Sequence, residues 1–156
     1  MITLDCIQYS PEWHAARTGI PTASHFDDIL TADGKPSKSR LKYLYTLAGE
    51  RIIGKKEESY QNAAMKRGIE LESEARAYYD LILGVETKLV GICYFDERKL
   101  FSASPDGLVG ESGLVEFKCP MLSTMVGYKL NPDKLVSEYY LQLMGPLLVT
   151  GREWVD

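Results

Sequence analysis

Between Phe101 and Pro120 the chain reads Phe-Ser-Ala-Ser-Pro-Asp-Gly-Leu-Val-Gly-Glu-Ser-Gly-Leu-Val-Glu-Phe-Lys-Cys-Pro. Apolar-rich runs at Leu100–Ala103 and Leu114–Phe117 flank turn residues at Pro105-Asp106-Gly107 and Gly110–Gly113. That pattern predicts two strands joined by a bent connection. Side chains alternate along a strand, so Glu116 and Lys118 fall on one face and Phe117 on the other. Asp106 leaves the first strand at a turn, from which its short side chain reaches the same face. Two carboxylates and an ammonium then converge at one sheet edge. Mg²⁺ takes oxygen ligands at roughly 2.0–2.1 Å and commonly uses one or two protein carboxylates with waters and a phosphate. The trio therefore suits metal-assisted attack on a phosphodiester, with Lys118 orienting water or offsetting developing charge. Alone, the spacing is not specific. Pro-Asp-Gly is a common turn, and Glu-x-Lys is often a solvated, self-compensating strand face.

The remaining sequence bounds the reading. A chain of 156 residues, 45% hydrophobic and 26% charged, is sized for one globular domain with its own core. It has neither an apolar run of membrane-spanning length nor a basic, apolar leader at its start. Cys6, Cys93 and Cys119 are odd in number and, with only His14 and His25 beside them, show no zinc-ligand spacing. A reducing, cytoplasmic location is the expectation. The net charge of −4 counts weakly against nucleic acid, because the local field of a groove decides such binding.

Taken in order, Ser10-Pro11-Glu12 predicts a helix start, with Ser10 as cap and Pro11 in the first turn. A second helix is expected from Ser24 to Leu30, with Ser24 and Asp27 at capping spacing. A long one should run from Ser39 to Ile53 and stop at Gly54. His14 and His25 read as unpartnered boundary residues, Arg17 as a solvated arginine, and Lys55–Ser59 as a charged connection. From about Gln61 to Leu83 a further helix carries an apolar stripe of Ala64, Leu71, Ala75 and Tyr78. Within it Gly68 costs about 1 kcal/mol relative to alanine, which close packing or ligand approach would explain. Glu72, one turn on, is either a surface residue or aimed at Asp106. Val85–Phe95 reads as one strand, giving three consecutive antiparallel neighbours. Helices are expected at Ser123–Leu130 and Asp133–Val149, the second kinked or cut short by Pro146. Tyr139, Tyr140 and Gln142 sit on it, and a strand begins at Trp154.

Five motifs in this order resemble the phage lambda exonuclease family: Trp13-His-x-x-Arg17 through Ser24, Gly68-x-x-x-Glu72, Ser104-Pro-Asp-Gly107, Glu116-x-Lys118-Cys-Pro120 and Tyr139-x-x-Gln142. The resemblance spans the chain from about Tyr9. It implies a PD-(D/E)xK core and a Mg²⁺-dependent enzyme, with Mn²⁺ as a substitute, that degrades one strand of linear duplex DNA from its 5′ end. It further implies Asp106, Glu116 and the Phe117 carbonyl as metal ligands, Lys118 as the catalytic lysine, and Glu72 at a second metal or its waters. Gln142 falls beside the active site, and Arg17, Ser24 and Ser104 on a terminal 5′-phosphate. The implied partners are double-stranded DNA ends, a single-strand annealing protein and further copies of the chain. Thr124 and Met144 depart from the family pattern, standing in place of a second arginine and a second glutamine.

The expectation is a single α/β nuclease domain over residues 1–156, a central mixed sheet flanked by helices. It is expected to lack the C-terminal strand and helix of the family and so to associate through the exposed edge. A non-catalytic, truncated relative that binds DNA ends or a phage or host protein is the alternative.

Overall fold

The structure, a computed structural model, describes residues 1–56 and 63–156. The beginning of the expected Gln61–Leu83 helix and most of the Lys55–Ser59 connection lie outside the described residues. Seven strands are described: β1 Ile2–Leu4, β2 Thr87–Lys88, β3 Ile92–Tyr94, β4 Ser102–Ala103, β5 Gly107–Val109, β6 Gly113–Val115 and β7 Trp154–Val155. They form two ladders, β1-β3-β4 and β2-β5-β6-β7. All pairs are antiparallel except β6–β7, which makes the second sheet mixed. The helices are α1 Pro11–Ala16, α2 Phe26–Ile29, α3 Arg40–Ile53, α4 Ala63–Leu83, α5 Leu122–Leu130 and α6 Pro132–Thr150, with a 3₁₀ turn at Ala23–His25. The α/β class with helices about mixed strands is as expected.

The single strand expected at Val85–Phe95 is two strands in different sheets. Its break has a cause at Gly91, where a Cβ would lie 2.4 Å from the Cys6 carbonyl oxygen. The chain approaches the N-terminal segment there too closely for a side chain and leaves one ladder for the other. A second transfer occurs between β4 and β5 at Ser104-Pro105-Asp106, where proline has no N–H for a ladder. The three supposed neighbours are therefore not one meander: β4 pairs with β3, and β6 pairs with β5, a strand not foreseen. Gln8 pins both transfer points, its Nε2 donating to Val90 O at 3.0 Å and to Pro105 O at 2.9 Å.

The core has two centres. Ala23, Cys93, Ala103 and Val149 pack with Phe26, Val90 and Phe101, while Trp13, Ile92 and Tyr94 pack with Leu4, Cys6, Ala16 and Ile20. Helix α6 continues through Pro146 to Thr150 instead of stopping. Packing outweighs the missing hydrogen bond: Gly145, Pro146 and Val149 are buried, with Gly145 against Ala23 and Phe26. The stripe of α4 keeps Leu71 and Ala75 half-buried as expected but departs at its end. Tyr78 is exposed, and Tyr79 turns inward to meet Phe117 edge-on at 5.8 Å. Among the described residues, no helix is long and apolar enough to cross a membrane.

Candidate active site

Asp106 enters the site from the second transfer point and Glu116 to Lys118 from the end of β6. Asp106 is only 8% exposed, and its Oδ2 accepts from the Phe117 backbone N–H at 2.6 Å. Lys118 Nζ lies 2.7 Å from Glu116 Oε1, which also accepts from Gln142 Nε2 at 2.9 Å. Glu116 and Lys118 thus share one face, and Phe117 turns to the other against Tyr79, as the alternation requires. The Lys118 ammonium stands 4.8 Å from the centre of the Tyr139 ring. From α4 comes Glu72, half-buried and held by Arg76 at 3.5 Å. Glu72 is no surface glutamate.

Burial pushes the Asp106 carboxyl up to about 8, reinforced by Glu116 and Glu72 and opposed by the Phe117 N–H and Lys118. Burial also raises Glu72, against the pull of Arg76. Carboxylates crowded this way suit a cation. Among the described residues no set of three or more His, Cys, Asp and Glu side chains closes into a cage, but Mg²⁺ commonly uses only one or two protein carboxylates and completes its shell with water and phosphate. The donor set fits such an ion.

Two cavities meet at these carboxylates. One, of about 510 Å³, is bordered by Gly68, Glu72, Lys118 and Thr124. The other, of about 420 Å³, is bordered by Arg17, Ser24, His25, Lys56 and Ser104. Asp106, Glu116, Gln142 and Tyr9 border both. Arg17 is not the solvated residue its local sequence suggests. Its guanidinium stacks 3.9 Å over Trp13 and donates to Ser24 Oγ at 3.3 Å. Trp13 Nε1 in turn donates to Ser104 Oγ at 3.0 Å. Ser24 is drawn to Arg17 and to Thr22 Oγ1 at 3.1 Å, so it is not the helix cap its spacing with Asp27 suggests. Arg17 Nε is buried without a hydrogen-bond partner among the described residues, and burial lowers this arginine to about 10. His25 is partnered after all, 2.9 Å from Asp28 and stacked on Tyr43.

Two residues on these walls escape sequence reasoning. Lys56 reads as one of a run of solvated charges, yet burial lowers its ammonium and the nearby Arg17 lowers it further. Tyr9 precedes every motif, and no periodicity singles it out. Its hydroxyl is pushed up to about 12, by burial and then by Glu72, Asp106 and Glu116.

The α/β frame, with an Asp and a Glu-x-Lys meeting where two sheets join, defines a nuclease of the PD-(D/E)xK type. The sequence matches the YqaJ-like viral recombinase domain over residues 12–153, and the chain belongs to that family. It is similar to the crystal structure of an alkaline exonuclease from Laribacter hongkongensis, with 40% identity and a TM-score of 0.81, covering 94% of this chain and 71% of that one. The same exonuclease in complex with dAMP gives 40% identity, a TM-score of 0.82 and the same coverage. No curated protein matches the sequence. The chain is a nuclease, and nucleases of this family are generally dependent on a divalent metal.

Proposed function

We propose that the protein is a Mg²⁺-dependent exonuclease that removes nucleotides 5′ to 3′ from one strand of linear double-stranded DNA. The convergence of Asp106, Glu116 and Lys118 with Glu72 and Gln142 at the meeting of two cavities carries this reading. Asp106, Glu116 and the Phe117 carbonyl would hold the ion, with Glu72 serving a second ion or its waters. When bound, the metal supplies Lewis-acid stabilisation and a water of lowered pKa. Gln142 fixes the Glu116 carboxylate. Lys118, at hydrogen-bond distance from that carboxylate, is placed to orient water or to meet negative charge developing on phosphate.

The neighbouring cavity supports the choice of end. Arg17, with a buried nitrogen unpartnered among the described residues, and the hydroxyls of Ser24 and Ser104 offer the donors a terminal phosphate requires. Lys56 adds a second cation on that wall. An annealing protein that receives the 3′ overhang, and assembly of several copies of the chain, complete the reading through the resemblance. The test is release of nucleotides from linear duplex DNA labelled at either end, in Mg²⁺ and in EDTA. Loss of the 5′ label first, in Mg²⁺ only, is expected. Release from the 3′ end, or release undiminished in EDTA, overturns the reading.

A further inference from the structure

Tyr9 occupies a backbone conformation that a tyrosine rarely holds. Its φ is +66°, in the left-handed region that disfavours residues bearing a Cβ. It is the third residue of a turn closed by the Ser10 N–H on Ile7 O at 3.1 Å, a position where positive φ ordinarily calls for glycine or asparagine. The turn is fastened on both sides. Gln8 holds Val90 O and Pro105 O, one residue from Asp106, and Ser10 Oγ accepts from Trp13 N at 3.2 Å to cap α1. Strain of this kind persists only where surrounding contacts over-determine it, and it collects at functional sites.

The side chain returns little core packing for that strain, since Tyr9 is 41% exposed. What it occupies is the junction of the site. Tyr9 borders the cavity of Arg17 and Lys56, the cavity of Lys118 and Thr124, and a third of about 620 Å³ lined by Gln8, Glu72 and Arg76. Its ring meets Trp13 at 5.1 Å, tilted by 46°, and Arg17 stacks on Trp13 in turn. An aromatic column thus leads from the phosphate-binding donors to the carboxylates and ends in a half-open tyrosine ring.

We propose that Tyr9 is a substrate-contact residue, its ring held by the strained turn as the wall on which the base of the terminal nucleotide stacks while that nucleotide's phosphodiester lies over Asp106 and Glu116. This rests on the nuclease reading of the site. Stacking on an aromatic ring tolerates every base, which an exonuclease that must accept each nucleotide in turn requires.

Three variants and two probes test it. Tyr9→Gly should raise the melting temperature by about 2–4 °C as the turn relaxes, while kcat/KM on linear duplex DNA falls by roughly 10- to 100-fold. A residue that only shapes the turn would not split stability from activity in that direction. Tyr9→Phe should recover most of the loss and Tyr9→Ala should not. By calorimetry, Tyr9→Gly should weaken binding of dAMP at least fivefold and leave binding of inorganic phosphate unchanged. The proposal is overturned if Tyr9→Gly cleaves at the wild-type rate, if Tyr9→Phe is as impaired as Tyr9→Gly, or if dAMP and phosphate weaken alike. A wild-type protein that degrades no duplex DNA would defeat the nuclease reading separately, with the dAMP measurement still deciding the role of Tyr9.

Discussion

Lys118 illustrates how much a single side chain decides at this site. Its ammonium touches Glu116 and faces Tyr139 but carries no part of the core. Lys118→Ala should therefore lower the cleavage rate by roughly 10²–10³-fold, the loss typical of one transition-state donor, with an unchanged circular-dichroism melt. Near wild-type cleavage by this variant would remove Lys118 from the mechanism. On the phosphate side, Arg17→Ala should erase most of the preference for 5′-phosphorylated over 5′-hydroxyl ends. Lys56→Ala should cut that ratio by about tenfold, as expected for one charge-assisted contact. Equal rates on both ends with the wild-type protein would dismiss the pocket. Residue type and spacing pointed to Asp106, Glu116 and Lys118 as one charged set, whereas Arg17 and Ser24 entered as site candidates only through the resemblance that the five motifs carry. Tyr9 and Lys56 were not singled out, because only the folded chain brings them to the walls of one cavity.

Two glycines on helices separate packing from access. Gly68 of α4 borders the Lys118 cavity, yet among the described residues nothing lies within 4 Å of where its Cβ would stand. Close packing is not what excludes a side chain there. Gly68→Ala should stabilise the protein by about 1 kcal/mol through helix propensity, and any loss of cleavage would then report obstruction of the groove. Gly145 of α6 is the opposite case, since its Cβ would fall 2.7 Å from the Ala23 Cβ. Overpacking of roughly 1–3 kcal/mol outweighs a gain of about 0.3 kcal/mol in propensity, so Gly145→Val should unfold at lower denaturant than wild type. An unchanged midpoint would mean that α6 is not seated on the Ala23 turn. Helix existence was readable from periodicity and caps. The stripe of α4 was read rightly at Leu71 and Ala75 but one residue out at its end, placing Tyr78 inside instead of Tyr79, because two neighbouring tyrosines leave that position undetermined until a partner surface is present.

For the molecule as a whole, the buried carboxylates link stability to pH and metal. Asp106 titrates at about 8 in the folded chain and at roughly 3.9 unfolded, so between these values the native state binds more protons. Metal-free protein should accordingly lose stability as pH rises from about 4 to 8. Asp106→Asn should flatten that slope. Mg²⁺ should raise the melting temperature more at pH 8 than at pH 5, because the ion competes with a proton at the lower pH. Thermal melts at both pH values, with and without Mg²⁺, check the sign. A metal-free protein that gains stability from pH 5 to 8 would contradict the assignment of Asp106 as the strained carboxyl. Sedimentation across a concentration range bears on assembly, with association expected from the many exposed large apolar side chains, among them Ile52, Leu81 and Leu130.

The sequence by itself determined the α/β class, the caps at Ser10 and Gly54 and the shared face of Glu116 and Lys118, because these are local properties of residue type and spacing. Tertiary structure alone decided how the strands are divided. Val85–Phe95 holds no proline and reads as one strand, but the approach of Gly91 to the Cys6 backbone breaks it between two sheets. The same division puts Asp106 at a crossing between ladders, fastened by Gln8 to the turn that carries Tyr9. Helix α6 runs through Pro146 because burial of Gly145 and Pro146, with Gly145 against Ala23 and Phe26, offsets one missing backbone bond. Close approach between distant segments has no signature in either segment's own sequence, because its energy belongs to the pair.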